Sequence, residues 1–275
     1  MILVENIGEV RKFRLSRTLF GRGLYYTAAY WVDGLMIDTG CAHTVQDLLS
    51  ATDEINVDLI VNTHSHEDHI GANSALTSRF GAKIKTHPLA LPVMASPRKQ
   101  QPLKPYQRIM WGYPAASLGT DIADTIATDR YQFQVLHTPG HSSDHICLFE
   151  PDQGWLFTGD AFVGGRDQAL RADYNIWQII RSLKKLAKLN ARLLFTGSGS
   201  VRENAHSDLS EKMHYLEDTA ERALDLHRRG MSYGRIRRIL FGRELPISYL
   251  TLGHFSGKNL VRSFVEDHPA FNSYD

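Results

Sequence analysis

The residues most able to do chemistry in this sequence lie in the stretch THSHEDHIGA, at residues 63–72. Three histidines and two acids fall within six consecutive positions there. In an extended segment alternate side chains point the same way, so His64 and His66 can approach one metal ion together. If the chain then turns, Asp68 and His69 can face a second ion. Imidazole and carboxylate ligands suit Zn, Fe, Mn or Ni, so the spacing predicts a metal centre.

Two further candidate ligands follow predicted strands. His141 ends the segment HTPGH, after the apolar run FQVL, and Asp160 ends the segment WLFTGD. A carboxylate at Asp160 could bridge two metal ions, because it would neutralise their charge and fix their separation. Asp38, at the end of another predicted strand, could orient His64 or His66 through a hydrogen bond.

In order and spacing, these motifs resemble those of the metallo-β-lactamase superfamily. HxHxDH is present at residues 64–69, TPGH ends at His141, and GD ends at Asp160. The resemblance covers roughly residues 1–200. It implies an α+β fold, the αββα sandwich, with a metal site at one edge and a helical C-terminal extension. Within the superfamily, the helical tail after Asn204 makes the chain most similar to glyoxalase-II-type and lactamase-beta-like hydrolases.

The resemblance also implies a ligand set for two metal ions. The first ion would be held by His64, His66 and His141, and the second by Asp68, His69 and Asp160. The implied metal is zinc, with the second ion weakly bound or absent, and iron or manganese are alternatives. The implied activity is that of a metal-dependent hydrolase, in which a metal-bound hydroxide attacks an ester, thioester, lactone or related substrate. Asp68 is the predicted catalytic residue, because its carboxylate could orient the hydroxide or take its proton.

The sequence departs from the family pattern at Ser198. The last metal-binding histidine of the family normally stands in a GHG-like turn after the final core strand, whereas this chain has FTGSGSV there. A serine hydroxyl is a poor metal donor unless it is deprotonated. His206 and His254 are available to fill the position, and the sequence does not choose between them.

This departure leaves two other functions open. A mononuclear iron oxidoreductase, similar to persulfide dioxygenases, would use two histidines and one aspartate and would tolerate the missing histidine. A weakly catalytic ligand-binding protein with an incomplete second metal site would also be consistent with Ser198. The iron enzyme would consume oxygen with a thiol or persulfide substrate, which separates it from a hydrolase.

The elements that must position these residues are predicted as two sets of strands with helices between and after them. AAYWVDGLMIDTG is a predicted hairpin turning at Asp33-Gly34, a dipeptide that tolerates positive φ. INVDLIVNT is a predicted buried strand leading into the histidines, and IGANSALTSRFG is a predicted helix after them. We predict an αββα domain over residues 1–203, with an irregular lid insertion at 96–124, and a helical C-terminal region over residues 204–275.

Composition argues against several classes of protein. The 31 basic and 30 acidic residues leave a formal charge of +1, which is unfavourable for binding nucleic acid through a global positive field. Two cysteines among 275 residues imply no disulfide framework and a reducing compartment. No stretch approaches the ~20 apolar residues of a membrane span. We therefore predict a cytoplasmic protein that acts on a small-molecule substrate, and a homodimer is compatible with the sequence.

Overall fold

The structure is a computed structural model that describes residues 1–19 and 21–269. Its internal contacts divide the chain into two compact units. The first unit consists of three segments: Met1–His137, Asp144–Val163 and Ala191–Glu203. The second consists of Thr138–Ser143, Gly164–Asn190 and the described residues from Asn204 onward. The predicted domain boundary at residue 203 and the predicted lid role of residues 96–124 stay predictions.

Runs of strands are separated by helices along the chain. The strands are β1 (Ile2–Ile7), β2 (Val10–Leu15), β3 (Thr18–Leu19), β4 (Arg22–Gly23), β5 (Thr27–Val32), β6 (Leu35–Ile37), β7 (Leu59–Val61), β8 (Lys83–Thr86), β9 (Thr120–Asp121), β10 (Thr125–Ala127), β11 (Gln132–His137), β12 (Ile146–Glu150), β13 (Trp155–Gly159), β14 (Leu170–Arg171), β15 (Leu193–Thr196), β16 (Val201–Arg202) and β17 (Phe255–Ser256). The helices are α1 (Val45–Ala51), α2 (Asn73–Phe80), α3 (Leu91–Ala95), α4 (Pro97–Gln100), α5 (Pro105–Met110), α6 (Ile176–Leu186), α7 (Ala205–Arg228), α8 (Tyr233–Phe241), α9 (Pro246–Leu250) and α10 (Gly257–Glu266).

The first unit is built on two sheets that share one core. One sheet has the strand order β1-β2-β5-β6-β7-β8-β9, and the other has the order β10-β11-β12-β13-β15-β16. Buried apolar side chains of both sheets pack together, among them Tyr30 and Val61 from the first and Phe157 and Phe195 from the second. The opposite side of the first sheet packs against helices, with Met36 and Ile60 in one buried cluster with Leu48 of α1 and Leu76 of α2.

The predicted elements next to the histidines are present. The hairpin at Asp33-Gly34 is confirmed: Val32 of β5 pairs with Leu35 of β6, and the two turn residues have φ values of 50° and 80°. Strand β7 is the predicted strand before the histidine cluster, although it is shorter than its apolar run, and α2 is the predicted helix after it. Because β7 runs parallel to β6 and β8, the residues that follow these strands emerge at the same edge of the sheet.

Residues 96–124 are more regular than their sequence predicted. They contain α4, α5 and β9, where we expected an irregular excursion. Two of the four prolines in this segment, Pro97 and Pro105, stand at the start of helices. Proline is compatible with the first turn of a helix, because the N–H group that it lacks has no partner there in any case.

The second unit is mainly helical. Asn175 caps the N-terminus of helix α6, because its side-chain oxygen accepts a hydrogen bond from the Gln178 N–H. Its buried face carries Ile180 and Leu183, at the spacing predicted from the sequence, and it packs against α7 and α10 of the same unit. Among the described residues, no helix has both the length and the apolar character needed to cross a membrane.

Phe157 provides a test of the core between the sheets. Its ring stacks on Phe195 with centroids 4.7 Å apart and meets Tyr30 edge-on at 5.5 Å. We expect Phe157→Ala to lower the free energy of unfolding by about 3–5 kcal/mol, because it leaves a cavity where neighbouring side chains cannot fully collapse. The half-exposed Leu3 of β1 supplies the control, since Leu3→Ala should change stability by about 0.5 kcal/mol or less. Urea unfolding measures both, and a loss below about 1 kcal/mol for Phe157→Ala contradicts the packing.

Candidate metal centre

The histidine segment lies in a buried loop between β7 and α2. The side chains of His64 and His69 are fully buried, and His66 and Asp68 are nearly so. The ends of the loop are joined by an amide pair, in which Asn73 donates to Asn62 Oδ1 over 2.8 Å, and Asn62 donates to the carbonyl of His69 over 3.1 Å. The loop is therefore held rigidly although it contains no regular structure.

His64 and His66 bring two ring nitrogens together, as their spacing predicted. His64 Nε2 and His66 Nδ1 lie 3.0 Å apart. This separation is near the roughly 3.4 Å expected between two nitrogens that each lie about 2.1 Å from one tetrahedral ion. On the other side of the His64 ring, Nδ1 lies 3.0 Å from the hydroxyl of Thr63, which fixes the ring orientation.

His69 directs its Nε2 toward the carboxylates of Asp68 and Asp160. Its Nδ1 is 2.8 Å from Asp38 Oδ2, which leaves Nε2 to point the other way. Nε2 lies 3.6 Å from Asp160 Oδ1 and 3.9 Å from Asp68 Oδ2, and it lacks a hydrogen-bond partner among the described residues. One ligand atom each from His64, His69 and Asp160 lie within 4.8 Å of one another. A buried imidazole nitrogen among carboxylate oxygens is the donor set that zinc, iron and manganese accept.

Asp38 contacts a different histidine from those that the sequence suggested. Its carboxylate bonds to the His69 ring, and it reaches His64 only through Thr63, whose N–H and hydroxyl both donate to it over 2.8 Å. We expected His64 or His66 as the partner. The reason lies in the sheet, since Asp38 follows β6 and Thr63 follows the adjacent parallel strand β7, so the carboxylate meets Thr63 first.

The charges of this pocket shift the pKa values of its groups. Burial raises the pKa of Asp68 to about 7, with Glu67 and Asp160 adding to the rise and His69 opposing it. Burial alone lowers the pKa of His69, but the carboxylates of Asp38, Asp68 and Asp160 outweigh it and raise that pKa well above its ordinary value. The pocket thus concentrates negative charge around the imidazoles, which is an environment that favours a cation.

Asp160 is held in position by contacts with His145 and Gly197. Its N–H donates to His145 Nε2 over 3.1 Å, so this buried histidine supports the aspartate. Gly197 lies against the carboxylate itself, since a Cβ on this residue would be 2.0 Å from Asp160 Oδ1. Only glycine therefore fits at the start of the GSGS turn.

The contacts around Ser198 do not show which histidine, if either, takes the place of the family's last metal ligand. Its hydroxyl lies 3.0 Å from Thr196 Oγ1. The two histidines considered for this position belong to the second unit and have other neighbours there. His206 Nδ1 lies 3.1 Å from the carbonyl of Ala187, and His254 Nε2 lies 3.9 Å from Asp173 Oδ1.

His141 lies in the short segment Thr138–Ser143, which belongs to the second unit. Its Nε2 is 3.2 Å from the hydroxyl of Tyr174, in the same unit, and the two ring centroids are 4.3 Å apart. The segment is anchored through Pro139, whose carbonyl accepts a hydrogen bond from Ser182 of α6. Tyr174 stands outside every motif, so no sequence pattern indicated this contact.

A second contact that the sequence did not indicate joins the insertion to the histidine segment. Gln107 of α5 donates to Glu67 Oε1 over 2.8 Å, and both side chains are buried. Glu67 stands between His66 and Asp68, so this bond reaches the backbone that carries two of the candidate ligands.

The comparisons with known proteins agree with the fold and show the family. The metallo-beta-lactamase superfamily profile matches residues 22–198, well over half of the chain, which therefore belongs to this superfamily. A beta-lactamase-like protein 2 homolog of Caenorhabditis elegans is 24% identical over 199 residues, covering 70% of this chain and 60% of that protein. Hydroxyacylglutathione hydrolase GloC of Haemophilus influenzae is 30% identical over 161 residues, which cover 54% of this chain and 71% of that protein. The chain spans 60% and 56% of the length of two beta-lactamase-like protein 2 homologs that it matches.

Solved structures confirm the predicted fold class. A beta-lactamase domain protein from Burkholderia ambifaria superimposes with a TM-score of 0.71 at 16% identity, covering 95% of this chain and 87% of that one. A metallo-beta-lactamase family protein from Thermus thermophilus superimposes with a TM-score of 0.67 at 19% identity, covering 94% of this chain and 92% of that one. The fold is thus the αββα sandwich with a helical C-terminal extension.

Asp38 provides a test of how the centre is oriented. We expect Asp38→Asn to weaken metal affinity about 10- to 100-fold, because the amide cannot accept from both Thr63 and the His69 ring as the carboxylate does. Competition with a chelator, followed by elemental analysis, measures the affinity. Asp152→Asn, in an exposed turn, is the control and should bind as wild type does. Equal affinities in all three proteins are incompatible with the role of Asp38.

Proposed function

We propose that this protein is a metal-dependent hydrolase that acts on an ester, thioester or lactone. The observation that carries the proposal is the buried His69 Nε2, which lacks a hydrogen-bond partner among the described residues and faces the carboxylates of Asp68 and Asp160. An orphaned imidazole nitrogen costs free energy in a folded protein unless a ligand binds it. Membership of the superfamily supports the same chemistry.

In this proposal the ligands are those expected from the sequence. His64, His66 and His141 hold one ion, and Asp68, His69 and Asp160 hold a second, weaker one. Zinc suits this mixture of nitrogen and oxygen donors, and iron or manganese also suits the carboxylate-rich second set.

Chain connectivity supports the inclusion of His141. The carboxylate of Asp144 accepts a hydrogen bond from the N–H of Ser65 over 2.9 Å, and Ser65 stands between His64 and His66. His141 precedes Asp144 by three residues, so its Cα lies within about 11 Å of the Asp144 Cα even when the chain is fully extended. The covalent tether therefore keeps His141 near the segment that it would join.

The proposed chemistry divides between the ions and the chain. When bound, divalent cations lower the pKa of a coordinated water toward neutrality and polarise the carbonyl under attack. Asp68, whose Oδ2 lies 3.9 Å from His69 Nε2, would accept the proton of the attacking water. Neither cysteine offers a competing nucleophile, because both are buried and burial raises the pKa of the Cys41 thiol.

His66→Ala tests the hydrolase proposal. With a hydroxyacylglutathione thioester, an aryl ester and a lactone as substrates, we expect the variant to lose at least about 100-fold in kcat/KM for whichever substrate the wild type accepts, together with metal content. His227→Ala, on the exposed side of α7, should match the wild type. Unchanged hydrolysis by His66→Ala would falsify the site assignment.

Ser198 motivates one competing function, a mononuclear iron oxidoreductase. An enzyme with a single iron needs no ligand at position 198, where the serine hydroxyl already contacts Thr196. Elemental analysis together with oxygen uptake separates the two functions. Zinc in a fully active preparation supports the hydrolase, whereas stoichiometric iron with oxygen uptake on a thiol or persulfide supports the oxidoreductase.

Ser198→His tests whether the second metal ion binds weakly because it lacks one ligand. We expect the variant to bind up to one more metal ion per chain, since an imidazole replaces a poor donor. Ser200→His, two residues further on, is the matched control and should leave the metal content unchanged. If Ser198→His binds no more metal than the wild type, another residue already completes the second ion.

A further inference from the structure

A cavity of about 400 Å³ in the first unit lies beside the candidate metal centre. We call it the Arg14 cavity, and the side chains that line it include Arg14, Tyr25, Tyr26, Val163, Ser198 and Ser200. Two contacts connect it to the centre. Ser198 follows Gly197, which lies against the carboxylate of Asp160. Tyr25 is close enough to Asp160 and Asp68 that, after the effect of burial, their charges raise its pKa.

Arg14 lines this cavity and forms no direct ion pair with a described residue, although after Lys12 its charge helps to lower the pKa of Glu5. Its Nε is buried and lacks a hydrogen-bond partner within residues 1–19 and 21–269. Lys12, two residues earlier on β2, is 2.8 Å from Glu5, whereas Arg14 takes part in none of the ion pairs of the described chain. The Arg14 Nε lies against Gly199, where a Cβ would be 3.1 Å from it, so a ligand in the cavity would bind the terminal nitrogens of the guanidinium instead.

The guanidinium is held in place by packing. It lies over the Tyr26 ring, 4.6 Å from the centroid, and the side-chain stem lies against Gly199, where a Cβ would be 2.5 Å from Arg14 Cγ. Stacking on a ring face leaves the N–H donors free at the edges of the guanidinium plane. Arg14 is therefore ordered in advance of binding, which lowers the entropic cost of recognising a ligand.

Two serine hydroxyls line the same cavity as Arg14. The Ser198 and Ser200 hydroxyls lie 3.0 Å and 2.9 Å from Thr196 Oγ1, which fixes both side chains on the cavity wall. The residues that the structure places around the cavity include no carboxylate. An anion would thus meet a forked cation and hydroxyl donors without a competing negative charge on the wall.

We propose that the Arg14 cavity binds a carboxylate or phosphate group of the substrate through the Arg14 guanidinium, while the bond to be cleaved lies at the metal centre. Guanidinium pairs with both kinds of oxyanion through two parallel hydrogen bonds. The cavity would make the enzyme selective for anionic substrates. That the ligand is a substrate rests on the proposed hydrolase function, whereas the anion site itself does not.

Binding to the holoprotein tests the site independently of turnover. Thermal-shift titrations with succinate and with inorganic phosphate give an apparent Kd for each probe. We expect Arg14→Gln to weaken the Kd of the preferred probe about 10- to 100-fold, and the stronger of the two probes identifies the anion. Arg11→Gln is the matched control, because Arg11 lies on the same strand and donates to Asn6 instead.

A second variant guards against a misfolded protein. Arg14→Lys keeps the charge but lacks the fork, so it should bind more weakly than the wild type and more tightly than Arg14→Gln. Binding of both probes by Arg14→Gln as tightly as by the wild type overturns the proposal. So does equal weakening in Arg11→Gln, since the effect would then come from general charge.

Kinetics then connects the site to the reaction. A matched pair of acetyl thioesters, of 3-mercaptopropionate and of neutral N-acetylcysteamine, differs mainly in one carboxylate. We expect Arg14→Gln to lower kcat/KM about 10- to 100-fold for the carboxylate substrate and less than about 2-fold for the neutral one. If Arg14 is needed to bind the anion but neither the wild type nor any variant hydrolyses a thioester, the hydrolase function is refuted and the anion site stands. If hydrolysis is normal and Arg14→Gln changes neither the kinetics of the two substrates nor the binding of the two probes, the anion site alone is refuted.

Discussion

The carboxylate of Asp38 holds together two parts of the candidate metal centre. It accepts hydrogen bonds from the N–H and hydroxyl of Thr63 and contacts Nδ1 of His69, so one side chain fixes both ends of the HSHEDH segment. Asp38 adopts a φ of 58°, a conformation that costs free energy for a residue other than glycine. Such strain persists only where the surroundings hold it in place. Here the adjacent strands β6 and β7 do so, because they bring Asp38 and Thr63 to the same edge of the sheet.

Three carboxylates, those of Asp38, Asp68 and Asp160, lie around the single imidazole of His69, outweigh the effect of burial and raise its pKa. Burial raises the pKa of Asp68, and the charge of Asp160 adds to that rise. Like charges in a buried space repel one another, which destabilises the fold unless a cation or protons compensate. The same repulsion is what gives a metal ion its binding energy in such a site. Stability and metal affinity are therefore coupled in this protein through a few carboxylates.

The sequence predicted the parts of the structure that follow from spacing and failed where contacts join distant segments. Alternation put His64 and His66 on one side of the chain, and Asp33-Gly34 identified the hairpin, because both are local properties of the backbone. The partner of Asp38 was predicted wrongly, since the strand register that brings it to Thr63 and His69 is not visible in either segment. Gln107 and Tyr174 could not have been found, because each acts through a single contact and belongs to no pattern. Residues 96–124 are more regular than predicted, in part because Pro97 and Pro105 each begin a helix, and a proline can begin a helix as well as interrupt one.

The hydrogen bond between Gln107 and Glu67 has a consequence for how such enzymes diverge. Loops beside a conserved scaffold are commonly thought to change substrate preference while leaving the chemistry alone. In this chain residues 96–124 reach the backbone that carries the candidate metal ligands, through the buried amide of Gln107 and the buried acid of Glu67. Replacing these residues by those of a relative would therefore shift the candidate ligands as well, unless the residue between His66 and Asp68 were exchanged at the same time.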